Sequence, residues 1–149
     1  MTFNAGGGDD FLLRANNVRA IGDLGAGDDQ LWIDPAVFAR ASMHVGAAND
    51  VAFGGSLADQ IWGDAGDDLL VDGAGNDELR GDVGDDLLVG GAGMDRLDGG
   101  AGADLFLGVD VDDMLLGTDR RDTIVRRPAS AQFTALDTIF RVLARRAVS

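Results

Sequence analysis

The residues able to do chemistry in this chain are aspartates at a fixed interval. Asp68, Asp77, Asp86, Asp95 and Asp104 fall nine residues apart within the blocks GDAGDDLLV, DGAGNDELR, GDVGDDLLV, GGAGMDRLD and GGAGADLFL, residues 63–107. Gly holds the fourth place of every block, Asp the sixth, and Leu or Phe the eighth, as Leu70, Leu79, Leu88, Leu97 and Phe106. Glycine permits positive φ and close backbone approach, so a tight turn can aim several carbonyl oxygens at one point. Aspartate adds a charged oxygen there. A set of hard oxygen donors suits calcium rather than zinc or copper.

These turns need elements to hold them. The last three residues of each block are predicted to form a short strand whose middle side chain points inward. Self-similarity at a short fixed period signals a stacked, quasi-one-dimensional architecture. A flexible Gly/Asp linker has no reason to keep its apolar residues in phase.

With five consecutive GGxGxD-type blocks, the chain resembles the RTX (repeats-in-toxin) calcium-binding nonapeptide family. The resemblance implies an all-β fold, a parallel β-roll or β-helix solenoid in which two nonapeptides make one coil. Like turns then stack eighteen residues apart, with each calcium ion between neighbouring turns on one side. On this reading one row carries Asp10, Asp29, Asp50, Asp68, Asp86, Asp104 and Asp122, and the other Asp59, Asp77, Asp95 and Asp113. The expected ion positions are 50/68, 68/86, 86/104, 59/77 and 77/95. The second row is expected to lack metal near the N-terminus, where Arg19 and Ala41 take the aspartate place.

Composition agrees with this reading. The chain has 149 residues, enough for one domain. It has 23 glycines and no cysteine, so no disulfide framework. All 12 basic residues are arginine, and Glu78 is the one glutamate among 26 acids. A net charge of −14 argues against nucleic acid as a partner. The charge is uneven: residues 1–119 hold 24 acids and 5 arginines, residues 120–149 hold 2 acids and 7 arginines. No apolar run approaches the 18 or so residues of a membrane span, and no N-terminal signal peptide is evident. The resemblance implies export through an uncleaved C-terminal signal, hence a secreted, extracellular protein.

Residues 5–125 read as the roll. Residues 5–13 form a first block, and residues 14–22 are expected to place Ile21 inward, with a one-residue insertion after them. Residues 24–32 restore the pattern. Asp34 and Pro35 read as an N-cap and first helical residue, which predicts a short helical insertion over 34–41. Met43, Ala52 and Ile61 resume the inward ladder. The blocks at 108–116 and 117–125 replace the fourth Gly by Val111 and Arg120, which weakens the case for calcium at Asp113 and Asp122.

The strand residues flanking each inward position point outward. On the first side twelve of fourteen are apolar, among them Phe11, Trp32, Phe53, Leu69, Leu87 and Leu105. On the second side Gln60, Glu78, Arg80, Arg96 and Asp98 dominate. Such an apolar stripe marks a contact surface, covered by a cap, a homodimer or another protein partner. Residues 126–149 leave the repeat. Phe133, Leu136, Phe140 and Leu143 follow Ser130 at helical spacing, with Arg141 and Arg145 on a polar face. This predicts a C-terminal amphipathic helical cap or a secretion-signal-like segment, in preference to a membrane-surface helix.

No catalytic constellation emerges. The one histidine, His44, reads as a surface or packing residue, and no serine sits in a nucleophile-elbow sequence. The expected function is a non-enzymatic calcium-binding module that folds on binding several Ca2+ ions. The alternative is the repeat portion of a secreted RTX enzyme such as a protease, lipase or alginate epimerase. Repeats that start at residue 5, close behind Met1, favour the first.

Overall fold

The computed structural model describes residues 2–14, 19–34 and 40–126. They form an all-β parallel solenoid, with no helix among the described residues. The first strands are β1 (Thr2–Asn4), β2 (Phe11–Arg14), β3 (Ala20–Asp23), β4 (Gln30–Ile33), β5 (Ala41–Ala47), β6 (Val51–Phe53) and β7 (Gln60–Ala65). There follow β8 (Leu69–Val71), β9 (Glu78–Val83), β10 (Leu87–Val89), β11 (Arg96–Ala101), β12 (Leu105–Val109), β13 (Met114–Leu116) and β14 (Thr123–Arg126). Odd strands build one seven-stranded sheet and even strands the other, each in chain order and all parallel. Each coil thus gives one strand to each sheet. Partners such as Leu70, Leu88 and Phe106 lie eighteen residues apart and in register.

The eighth-place residues stack into the core. Ile61, Leu79 and Leu97 from the odd sheet meet Leu70, Leu88 and Phe106 from the even sheet, all fully buried. Removing a side chain of this size from water stabilises the fold by roughly 1.5–3 kcal/mol. Each inward residue serves as the floor for the next coil, so strands as short as three residues suffice.

The outward faces differ as expected. Val71, Leu87, Val89 and Leu107 form a second buried cluster with Phe53, Leu69 and Leu105, separate from the core. The same face is open at its ends, where Phe11 is 64% and Trp32 46% exposed. The odd sheet carries polar ladders: Arg96 pairs with Glu78 at 3.3 Å, and Arg80 with Asp82 at 2.6 Å.

One expected register is corrected. Ile21 is exposed at 40%, while Ala20 is buried. Strand β3 pairs Ala20 with Ala41 and Gly22 with Met43. Met43 is fully buried, so its partner Gly22 faces inward and Ile21 must face out. The extra residue therefore precedes this block rather than following it. The residue in the aspartate place is Ala20, not Arg19, and like Ala41 it offers no carboxylate. Most of the helical insertion expected over 34–41 falls on 35–39, outside the described residues; Ala41 already belongs to β5. The expected cap at 126–149 lies outside them as well, except for Arg126 at the end of β14.

Candidate metal centre

Each candidate aspartate sits just before a strand, at the end of a turn whose backbone the fourth-place residue shapes. At Gly84, φ is +142°, and a Cβ there would strike the Gly66 carbonyl of the coil below. Glycine satisfies both constraints at once: left-handed backbone and close stacking.

The sixth-place aspartates form two ladders. The backbone N–H of Asp10 donates to Oδ1 of Asp29 at 2.7 Å, that of Asp29 to Asp50 at 2.7 Å, and that of Asp50 to Asp68 at 2.8 Å. The N–H groups of Asp68, Asp86 and Asp104 continue the ladder to Asp86, Asp104 and Asp122 at 2.9, 3.1 and 3.0 Å. In the second row the N–H groups of Ala41, Asp59, Asp77 and Asp95 donate to Oδ1 of Asp59, Asp77, Asp95 and Asp113. The structure thus brings all eleven candidates into the two rows read from the spacing.

Their second oxygens divide them. Oδ2 of Asp10, Asp29, Asp50, Asp68, Asp77, Asp86 and Asp104 is sealed from solvent and accepts no hydrogen bond. Oδ2 of Asp95 is equally sealed. These turns carry Gly in the fourth place or, before Asp50, Ala48 held at φ +102°. The other three turns carry Leu57, Val111 and Arg120 there, none of them in the left-handed region. In those turns a local backbone N–H reaches the carboxylate: Gly55 donates to Oδ2 of Asp59 at 2.8 Å, Asp110 to Asp113 at 2.6 Å, and Asp119 to Asp122. Where a bulkier residue takes the fourth place, the turn closes on its own aspartate.

Burial has an electrostatic cost. Desolvation, only partly offset by the ladder hydrogen bonds, raises Asp50 to about 6 and Asp68, Asp77 and Asp86 to about 7. Neighbouring carboxylates add to the rise. Asp29, Asp59 and Asp104 are raised for the same leading reason. A buried polar atom without a partner costs about 1–3 kcal/mol, and more when charged. Repeating that cost along both rows is consistent with oxygens arranged for a cation.

The first place of each turn lies against this oxygen. A Cβ on Gly81 would strike Oδ2 of Asp86, and one on Gly99 would strike Oδ2 of Asp104. Glycine there leaves a cradle beside the carboxylate. In the turns of Asp29 and Asp50 the first place holds Leu24 and Val45, both fully buried, which take up part of that room. The oxygen chemistry and the cradles of the central turns fit calcium.

Sequence reading missed a third ladder. Fifth-place Asp and Asn side chains accept from the coil above: Oδ1 of Asp9 from the Asp28 N–H, Asp28 from Asn49, Asn49 from Asp67, Asp67 from Asp85, and Asp85 from Ala103. These bonds are exposed and run opposite to the sixth-place ladder. The available signal was the recurrence of Asp or Asn directly before the sixth place. His44, read as a surface residue, stacks on Trp62 at 4.6 Å and contacts Asp64 through Nδ1 at 2.8 Å.

Comparison with curated proteins finds no significant match. The model of the RTX calcium-binding nonapeptide repeat (4 copies) matches residues 44–79, 71–106 and 80–115. Those residues include the central turns of both ladders. Residues 44–115 thus carry repeats that match the RTX calcium-binding nonapeptide repeat family.

Proposed function

We propose that this chain is a non-enzymatic module that folds on binding several calcium ions after export and then serves as a structural, folding or interaction unit. The observation that carries this reading is the series of sealed, unpartnered Oδ2 atoms in stacked turns. The repeat family, whose members are typically exported and non-catalytic, supports it.

The ligands in this reading are the sixth-place aspartates together with turn carbonyl oxygens. The positions 68/86, 86/104 and 77/95 combine sealed oxygens with open first places or, at 72, an acidic one. Position 50/68 shares its turn with Val45. Position 59/77 requires Asp59 to release the Gly55 N–H, and Asp113 and Asp122 must release similar bonds. Asp10 and Asp29 lie in the peripheral turns of the first row.

The roll spans 5–125 in this reading, and 126–149 is a cap whose apolar helical face lies on the even sheet. The burial of Val71, Leu87, Val89 and Leu107, all outward-facing, supports a cover over the stripe.

Calcium titration followed by circular dichroism and calorimetry tests the function. Calcium should produce a cooperative rise in β signal, reversed by chelator, with midpoints of about 10⁻⁴–10⁻³ M as in extracellular calcium modules. A spectrum unchanged by chelator, together with no heat of calcium binding, would exclude this function.

A further inference from the structure

Asp72 is an acidic residue that the repeat does not account for. It holds the first place of its block, where the turns below and above it in the same row have Gly54 and Gly90. A Cβ on Gly90 would lie 3.2 Å from Oδ2 of Asp95, so a first-place side chain projects toward the sixth-place carboxylate. The Asp72 side chain occupies that space. It is 0% exposed, and both of its oxygens are sealed and accept no hydrogen bond. One oxygen each from Asp72, Asp77 and Asp95 lie within 4.8 Å of one another, with all three residues buried.

That spacing has a chemical meaning. Calcium binds oxygen at about 2.3–2.6 Å, so two ligands on opposite sides of one ion are about 4.6–5.2 Å apart. Three carboxyl groups gathered out of water can all be ionised only with a cation among them.

We propose that Asp72 is a third carboxylate ligand at the 77/95 position, which makes this the tightest calcium site of the roll. The inference rests on the calcium-binding function proposed above and adds a ligand outside the sixth-place rows. The other central positions have two carboxylates each, so one ion per chain binds ahead of the rest. Affinity in calcium sites follows the number of charged ligands.

Calorimetric calcium titration of the full chain tests this, comparing wild type with Asp72→Asn and with Asp72→Gly, the residue found at this place in the neighbouring turns. Wild type should show one tight site ahead of a weaker class. Both variants should weaken that site about tenfold or more, in line with the dependence of affinity on ligand charge, and leave the weaker class intact. Thermal melts supply a second readout. Asp72→Asn should melt below wild type in calcium, and at or above it in chelator, because a neutral amide is less costly to bury than a carboxyl that ionises in the unfolded chain. A purely structural Asp72 would shift both melts in the same direction. Wild type that binds calcium with the tight site unchanged in both variants overturns the role of Asp72 alone. Wild type that takes up no calcium overturns the calcium function itself, and this inference with it.

Discussion

The backbone N–H of Asp68 donates to Oδ1 of Asp86 at 2.9 Å, while Oδ2 of Asp86 is sealed and accepts nothing. One carboxylate thus does two jobs. Its first oxygen ties two coils together, and its second is held beside the cradle at Gly81. In the proposed function, structural pairing and ion binding use different atoms, so the aspartate can orient itself before any ion arrives. This preorganisation is repeated at every central turn.

Asp86→Asn should therefore raise the calcium midpoint clearly more than Asp122→Asn. Asp86 borders two proposed ion positions. Asp122 borders one at most, and its Oδ2 already accepts from Asp119. Calcium titrations of the two variants, read by circular dichroism, check this. Equal midpoints would contradict the row assignment.

Acid should partly replace calcium. Buried Asp68, Asp77 and Asp86 are raised to about 7, and Asp50 to about 6, from an ordinary 3.8. The metal-free fold therefore holds more protons than the unfolded chain between these values. Its stability is full below about pH 4 and falls as pH rises through 6 to 7. Calcium needs the ionised carboxylates, so its affinity should move the opposite way and weaken on acidification. In chelator the chain should be more ordered at pH 5 than at pH 8, and the calcium midpoint should be higher at pH 5. Identical chelator spectra at the two pH values would refute the linkage.

Ala48→Gly should stabilise the roll by about 1 kcal/mol, the usual cost of a left-handed non-glycine residue. Ala48 adopts φ +102° in the fourth place, where most of the neighbouring turns have glycine. Thermal melting in saturating calcium measures the change. A lower melting temperature for the variant would show that the Ala48 methyl contributes packing that outweighs the backbone strain.

Leu87→Asp combined with Leu105→Asp should destabilise the calcium-loaded state by several kcal/mol, since each leucine contributes roughly 1.5–3 kcal/mol when buried. Leu87 is 4% exposed and Leu105 partly buried in the outward cluster. Deleting 128–149 should leave a chain that folds in calcium but self-associates, as read by light scattering. A full-length chain that is already a dimer would assign the cover to a second copy. A monomer indifferent to both changes would show that the stripe is not a contact surface.

The period of nine and the phase of the core residues were legible in the amino-acid order, and the two rows of aspartates followed from them once the family resemblance implied two blocks per coil. Each block is a complete unit of turn and strand, and stacking repeats it without adding new information. Asp68, Asp86 and Asp104 had to share a row once two blocks made a coil. Other features depended on what the neighbouring coil presents. Ile21 reads as the inward residue in the sequence; pairing of Gly22 with buried Met43 turns it outward, because a shift of one residue exchanges the faces of a strand. Whether an aspartate keeps an open oxygen was equally a matter of the folded turn. Asp59 looks like Asp77 in the sixth place, yet Leu57 brings the Gly55 N–H onto its carboxylate. Asp72 was hidden for the same reason. Its position in the sequence is that of a turn residue, and only the stacked coils enclose it with Asp77 and Asp95. Periodicity determines which residues recur together, and tertiary contact determines which of their atoms remain available to a ligand.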